Sequence, residues 1–142
     1  MAGVEGVEIL LVEDSEDDAE LTMRAITSNK IANRIELIRD GAEAVRYLES
    51  DRPLPRLVLL DLKLPKMNGL DVLRVIRSNP RTRVLPVVIL TSSREEPDIA
   101  AAYQLGVNSY IVKPVEFEAF VKAVTDAGLY WLLLNEPPRG AR

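Results

Sequence analysis

Five short runs of apolar residues recur along the chain, and stretches with helical spacing fill the intervals between them. Glu8–Val12, Leu57–Asp61 and Val87–Thr91 are nearly all apolar, which suits strands covered on both faces of a parallel sheet. Arg34–Arg39 alternates polar and apolar positions, as a less buried strand does, and Ser109–Val112 is a fifth candidate. Ser15–Ser28 opens on a serine followed by acids, residues that satisfy and complement the positive end of a helix. Asp40–Ser50 and Asn68–Ser78 follow, the latter with Leu70, Leu73 and Ile76 or Arg77 at helical spacing. Glu95–Leu105 stops at Gly106, a candidate left-handed cap. Beyond Pro114, the positions Phe117, Phe120, Val121 and Val124 mark one face of a fifth helix. Strands alternating with helices predict one α/β domain, a doubly wound five-stranded parallel sheet flanked by five helices.

Composition agrees with a single domain: the chain has 142 residues, 47% of them hydrophobic and 28% charged. The absence of Cys and of His excludes a disulfide framework, a thiol nucleophile, thiolate or imidazole metal ligands and an imidazole base. The apolar run around Ile9–Val12 is too short for a signal peptide, and Leu129–Leu134 falls far below the roughly 20 residues of a membrane span. No basic stripe suggests a nucleic acid, so the sequence predicts a cytoplasmic protein without membrane or nucleic-acid partners. The net charge of −4 is unevenly placed. Eight of the 22 acids lie in residues 1–23, which hold no Lys or Arg, leaving 14 acids against 18 bases behind them.

Ligands of open α/β sheets bind beyond the carboxyl ends of the strands. Those ends carry Glu13 and Asp14, Asp61, Thr91 and Lys113. Three carboxylates brought together repel one another unless a cation lies between them, and Mg²⁺ is the hard-cation solution. An Asp at a buried strand end can act as a nucleophile toward phosphorus. A lysine and a hydroxyl then neutralise and orient phosphoryl oxygens, and no imidazole is needed. Taken alone, Asp61 reads first as a strand-end cap or a salt-bridge partner. Glu16, Asp17, Asp18 and Glu20 read as a solvated first helical turn that complements the helix dipole.

Four ordered blocks, Ile9–Asp14, Leu59–Gly69, Ile89–Ser93 and Tyr110–Pro114, resemble the receiver domain of two-component response regulators over about residues 7–127. The resemblance implies a flavodoxin-like sheet in strand order 2-1-3-4-5 and a phosphoryl group accepted on Asp61 from a histidine kinase. It implies Mg²⁺ held by Glu13, Asp14, Asp61 and the backbone carbonyl of Lys63, with Thr91 and Lys113 on the phosphoryl group. Tyr110 matches the family's switch aromatic, and the Lys113–Pro114 bond is expected to be cis. The activity is that of a switch which dephosphorylates itself, not of an enzyme with a separate substrate. Asn68 stands where the family commonly has Asp, a mild change in a turn. Lys63 and Ser93 occupy positions that vary in the family and tune phosphoryl hydrolysis.

Two other readings of the same chemistry are weaker. A flavin-binding module needs hydroxyl or glycine donors in the first strand-end loop, where this chain has Glu13–Asp18. A haloacid-dehalogenase-type phosphatase needs a second Asp two residues after the nucleophile, where this chain has Lys63.

Residues 128–136 read as a helical extension and 137–142 as a frayed tail. The extension contains Tyr130, Trp131, Leu132, Leu133 and Leu134, apolar on every side, so an exposed patch is expected. We read it as a homodimer contact, with the Glu95–Gly106 helix and the fifth strand as further candidates. A Trp-containing extension of this kind resembles those of stand-alone receivers that partner phytochrome-like histidine kinases. A stand-alone receiver passes its output through a partner protein, a phosphorelay or the dimer.

Overall fold

A computed structural model describes residues 7–28, 32, 34–113, 116, 118, 119 and 122. Five strands alternate with four helices among the described residues: β1 (Ile9–Val12), α1 (Glu16–Ser28), β2 (Ile35–Ile38), α2 (Gly41–Glu49), β3 (Leu57–Leu60), α3 (Gly69–Ser78), β4 (Val87–Thr91), α4 (Glu96–Gln104) and β5 (Ser109–Val112). All pairings are parallel, in the order β2-β1-β3-β4-β5. The doubly wound sheet expected from the sequence is therefore present. Glu118, Ala119 and Lys122 are helical. The remainder of the expected fifth helix, Pro114 with its bond to Lys113, and the extension from 128 onward lie outside the described residues.

Alternation along each strand divides the core into two layers. Ile9 and Leu11, Leu57 and Leu59, and Val88 and Leu90 face α1 with Ala19 and Ile26. Leu10 and Val12, Val58 and Leu60, and Val87 and Ile89 face the other way, onto Ala44 and Leu48 of α2, Val72, Leu73 and Ile76 of α3 and Ala102 of α4. β1, β3 and β4 are buried along their whole length, whereas β2 is only partly covered. This is the difference that the polar positions of Arg34–Arg39 predict for an edge strand.

The helix starts are set by side-chain caps. The Asp40 and Asn68 carboxylate and amide oxygens accept from the backbone N–H groups of Glu43 and Asp71. Both residues therefore stand just outside helices that the hydrophobic pattern begins one position earlier. At the opposite end of the sheet from the strand-end acids, Arg77 spends its guanidinium on the carbonyls of Arg83, Leu85 and Gly106 and on the Asn108 side chain. Of the two candidates at that turn of α3, Ile76 is the core residue. Gly106 closes α4 at φ 86°, the left-handed cap that the sequence places there.

Candidate functional site

The chain leaves β1 for β2 on one side and returns to β3 on the other, so the carboxyl ends of β1 and β3 adjoin. Val12 is in register with Leu60, and the next residue on each strand is an acid. Glu13 donates its N–H to the Ile38 carbonyl at 2.9 Å, and Asp61 donates its own to the Val12 carbonyl at 3.0 Å. Across the sheet Thr91 is in register with Val112, and the Lys113 N–H bonds the Thr91 carbonyl at 2.8 Å. The strand order itself thus delivers Glu13, Asp61, Thr91 and Lys113 to one rim.

At that rim the Lys113 Nζ lies 2.6 Å from Glu13 Oε1, 3.1 Å from Asp61 Oδ2 and 2.9 Å from Asp18 Oδ2. Burial by itself pushes the ammonium down. Its hydrogen bonds to Glu13 and Asp18, with the charge and hydrogen bond of Asp61, more than reverse that and hold it above the ordinary lysine range. Glu13, only 2% exposed, is pushed up to about 7, first by burial and then by the neighbouring Asp61, against the opposing pull of Lys113 and the Ser15 N–H. A buried acid raised toward neutrality and a lysine held above its ordinary range, side by side at a strand-end rim, form a functional-site candidate on physical grounds.

The loop after Asp61 is folded tightly back. The Lys63 N–H donates to Asp61 Oδ1 at 3.3 Å and the Gly69 N–H to the Leu62 carbonyl at 2.8 Å. Lys66 takes a left-handed φ of 69°, inside a turn closed by Met67 N–H on the Pro65 carbonyl at 2.7 Å. The loop after Thr91 is held through buried Ser93. Its N–H approaches Thr91 Oγ1 at 3.4 Å, its hydroxyl donates to Asp98, and its carbonyl accepts from Tyr110 Oη at 3.1 Å. Burial raises the Tyr110 hydroxyl, the bond to Ser93 opposes this, and the charges of Asp98 and Asp61 add to the rise.

The structure corrects one expectation about the acids. Asp18 is not a freely solvated member of the first turn of α1, since its carboxylate reaches Lys113. Its place in the first turn of the helix is already explained by the helix dipole, and only the tertiary fold supplies the ammonium. Glu16 and Asp17 are exposed, as expected. Asp14 and Lys63 are also exposed. Tyr130, Trp131, Leu132, Leu133 and Leu134 lie outside the described residues.

The donor set suits a hard dication. Glu13 and Asp61 offer carboxylates to a common centre, and Mg²⁺ typically takes one or two carboxylates and completes its shell with water and phosphate oxygens. Among the described residues no group of three acids is placed to hold a metal ion; the Lys113 ammonium bridges Glu13 and Asp61.

This rim, on this sheet, defines a receiver module: the chain belongs to the response regulator receiver domain family, whose model matches residues 9–125. Among solved structures it is similar to the bacteriophytochrome response regulator RtBRR, with 51% identity and a TM-score of 0.80 over 95% of this chain and 86% of that one. It is also 46% identical, over 92% of its length and 86% of the relative's, to a protein of Methanothrix harundinacea named "Probable methanogenesis regulatory protein FilR2". A third likeness is to the receiver domain of sensor histidine kinase PA1611 from Pseudomonas aeruginosa, which was crystallised with magnesium coordinated in its active-site cleft. That match has 31% identity and a TM-score of 0.74, covering 87% of this chain and 98% of that one. Among the described residues no helix is long and apolar enough to cross a membrane.

Proposed function

We propose that the chain is a cytoplasmic phosphoacceptor switch in which Asp61 receives a phosphoryl group from the phosphohistidine of a partner kinase. The observation that carries this reading is the buried Asp61 carboxylate held against Lys113 at the switch point of the sheet. One Asp61 oxygen forms the new P–O bond while the P–N bond to the imidazole breaks, its electron pair remaining on nitrogen. Lys113 neutralises charge on the phosphoryl oxygens, and the Thr91 hydroxyl donates to one of them. Water later attacks phosphorus, releasing phosphate and restoring the carboxylate. The protein thereby resets itself rather than turning over a separate substrate.

Mg²⁺, when bound, supplies the positive charge that Lys113 alone does not. Glu13, Asp14, Asp61 and the Lys63 carbonyl are the residues that would hold it. The likeness to a bacteriophytochrome response regulator supports a phytochrome-type histidine kinase as the donor. Phosphotransfer from such a kinase should label the chain rapidly with Mg²⁺ and fall at least about a hundredfold in excess chelator. Labelling that is indifferent to the chelator contradicts the metal assignment, and equal labelling by unrelated kinases contradicts the partner.

Output in this reading runs through Tyr110. Its hydroxyl is tethered to the carbonyl of Ser93, two residues beyond Thr91, so movement of Thr91 toward the phosphoryl group breaks that tether and lets the ring turn inward. The apolar run Leu129–Leu134 supports a homodimer built on Tyr130, Trp131, Leu132, Leu133 and Leu134. Truncation after Gly128 should convert a dimer to a monomer in light scattering, and an unchanged dimer contradicts this interface.

A further inference from the structure

We propose that Asp18 is a built-in competitor for the Lys113 ammonium, and that it sets how tightly the site takes a phosphoryl group. The inference rests on the phosphoacceptor reading of Asp61. A lysine ammonium has three N–H donors, and here the three carboxylates of Glu13, Asp18 and Asp61 surround it. No donor is left over for an incoming anion. The three acceptors differ in how readily they yield: the side chains of Glu13 and Asp61 are 2% and 9% exposed, that of Asp18 41%. Water can replace Lys113 at Asp18 far more easily than at the other two.

Phosphorylation replaces one negative charge at Asp61 with up to two. The added charge falls beside an ammonium already shared with Asp18, so the Asp18 carboxylate opposes it by like-charge repulsion. Releasing Asp18 leaves the helix start intact, because the Asp18 N–H is held independently by Ser15 Oγ at 3.2 Å. Phosphorylation on Asp61 therefore trades an internal ion pair for a phosphoryl contact and frees the first turn of α1. Asp18 acts through Lys113, as a positioning residue that weakens phosphoryl binding in proportion to its own grip.

Titration of the full chain with fluoroberyllate in the presence of Mg²⁺, followed by fluorine NMR, tests this. Asp18→Asn should bind the mimic about three- to tenfold more tightly than the wild type, the effect of one partly screened charge. Asp18→Glu, which restores a carboxylate, should return the affinity to within about twofold of wild type, and Asp17→Asn, an equal charge change in the same exposed turn, should also stay within about twofold. Affinity in Asp18→Asn that equals or falls below the wild type, or a gain matched by Asp17→Asn, overturns the competitor role. Absence of binding in wild type and variants alike overturns the phosphoacceptor reading and this inference with it.

Discussion

Gly41→Ala should lower the unfolding free energy by about 3 kcal/mol, and Gly69→Ala by a comparable amount. A Cβ on Gly41 would stand 1.8 Å from the carbonyl oxygen of Met67 and 2.9 Å from a Val72 methyl. A Cβ on Gly69 would stand 2.2 Å from the Asp61 carbonyl oxygen and 2.7 Å from Leu62 Cα. The nearest obstacle at each glycine is a backbone carbonyl of a closed loop, which cannot step aside as a flexible side chain does. The loop from Asp61 to Gly69 is closed across its ends by Gly69 N–H on the Leu62 carbonyl and held at its middle by Gly41 N–H on the Pro65 carbonyl. Both glycines open a helix, where the advantage of alanine in helix propensity, at most about 1 kcal/mol, offsets little of the clash. Urea denaturation should show a lower midpoint with an unchanged slope. A loss under about 1 kcal/mol in both variants contradicts the close approach. Gly69→Ala should also impair phosphorylation, since the displaced carbonyl is that of Asp61.

Much of this arrangement is legible along the chain, for physical reasons that differ between elements. β1, β3 and β4 are buried on both faces, so burial forces continuous apolar runs, and their polar ends stand out against them. The strand-end principle then selects Glu13, Asp61, Thr91 and Lys113 without any knowledge of contacts. Local chemistry also marks Gly106, because a helix that closes through a left-handed residue favours glycine there. The pattern instead puts Asp40 and Asn68 inside their helices, and only the structure shows them as caps.

Contacts between distant residues are not legible in that way. Asp18 and Lys113 are 95 residues apart in sequence, and an acid in the first turn of a helix is already explained by the helix dipole. Nothing local distinguishes the acid that reaches the lysine from its neighbours Glu16 and Asp17. Arg77 is similar: it occupies a helical repeat beside core positions, yet its guanidinium reaches Gly106, 29 residues away. The tight fold of the 61–69 loop is equally hidden, since Gly41 and Gly69 matter through carbonyls that no periodicity places near them.

The acidic amino-terminal segment takes on a sharper meaning. Glu13 is an inner member of the site, nearly buried and shifted toward neutrality by burial and Asp61. Asp18 is an outer member that holds the same ammonium from the solvent side. Charge balance at the rim therefore rests on Lys113, which faces three carboxylates of this chain, and a phosphoryl group arrives with further negative charge.

Asp61→Asn, a substitution that preserves the shape of the side chain, should abolish phosphorylation completely. Asparagine in place of Asp61 keeps the side-chain volume and the oxygen that accepts from the Lys63 N–H, while removing the nucleophilic carboxylate. The backbone bond from residue 61 to the Val12 carbonyl is untouched, so Asp61→Asn should remain folded. Intact-protein mass spectrometry after incubation with acetyl phosphate and Mg²⁺ reads the outcome directly. The wild type should gain a single phosphoryl group and Asp61→Asn none; equal labelling of the two proteins would contradict the assignment of Asp61 as the phosphoacceptor.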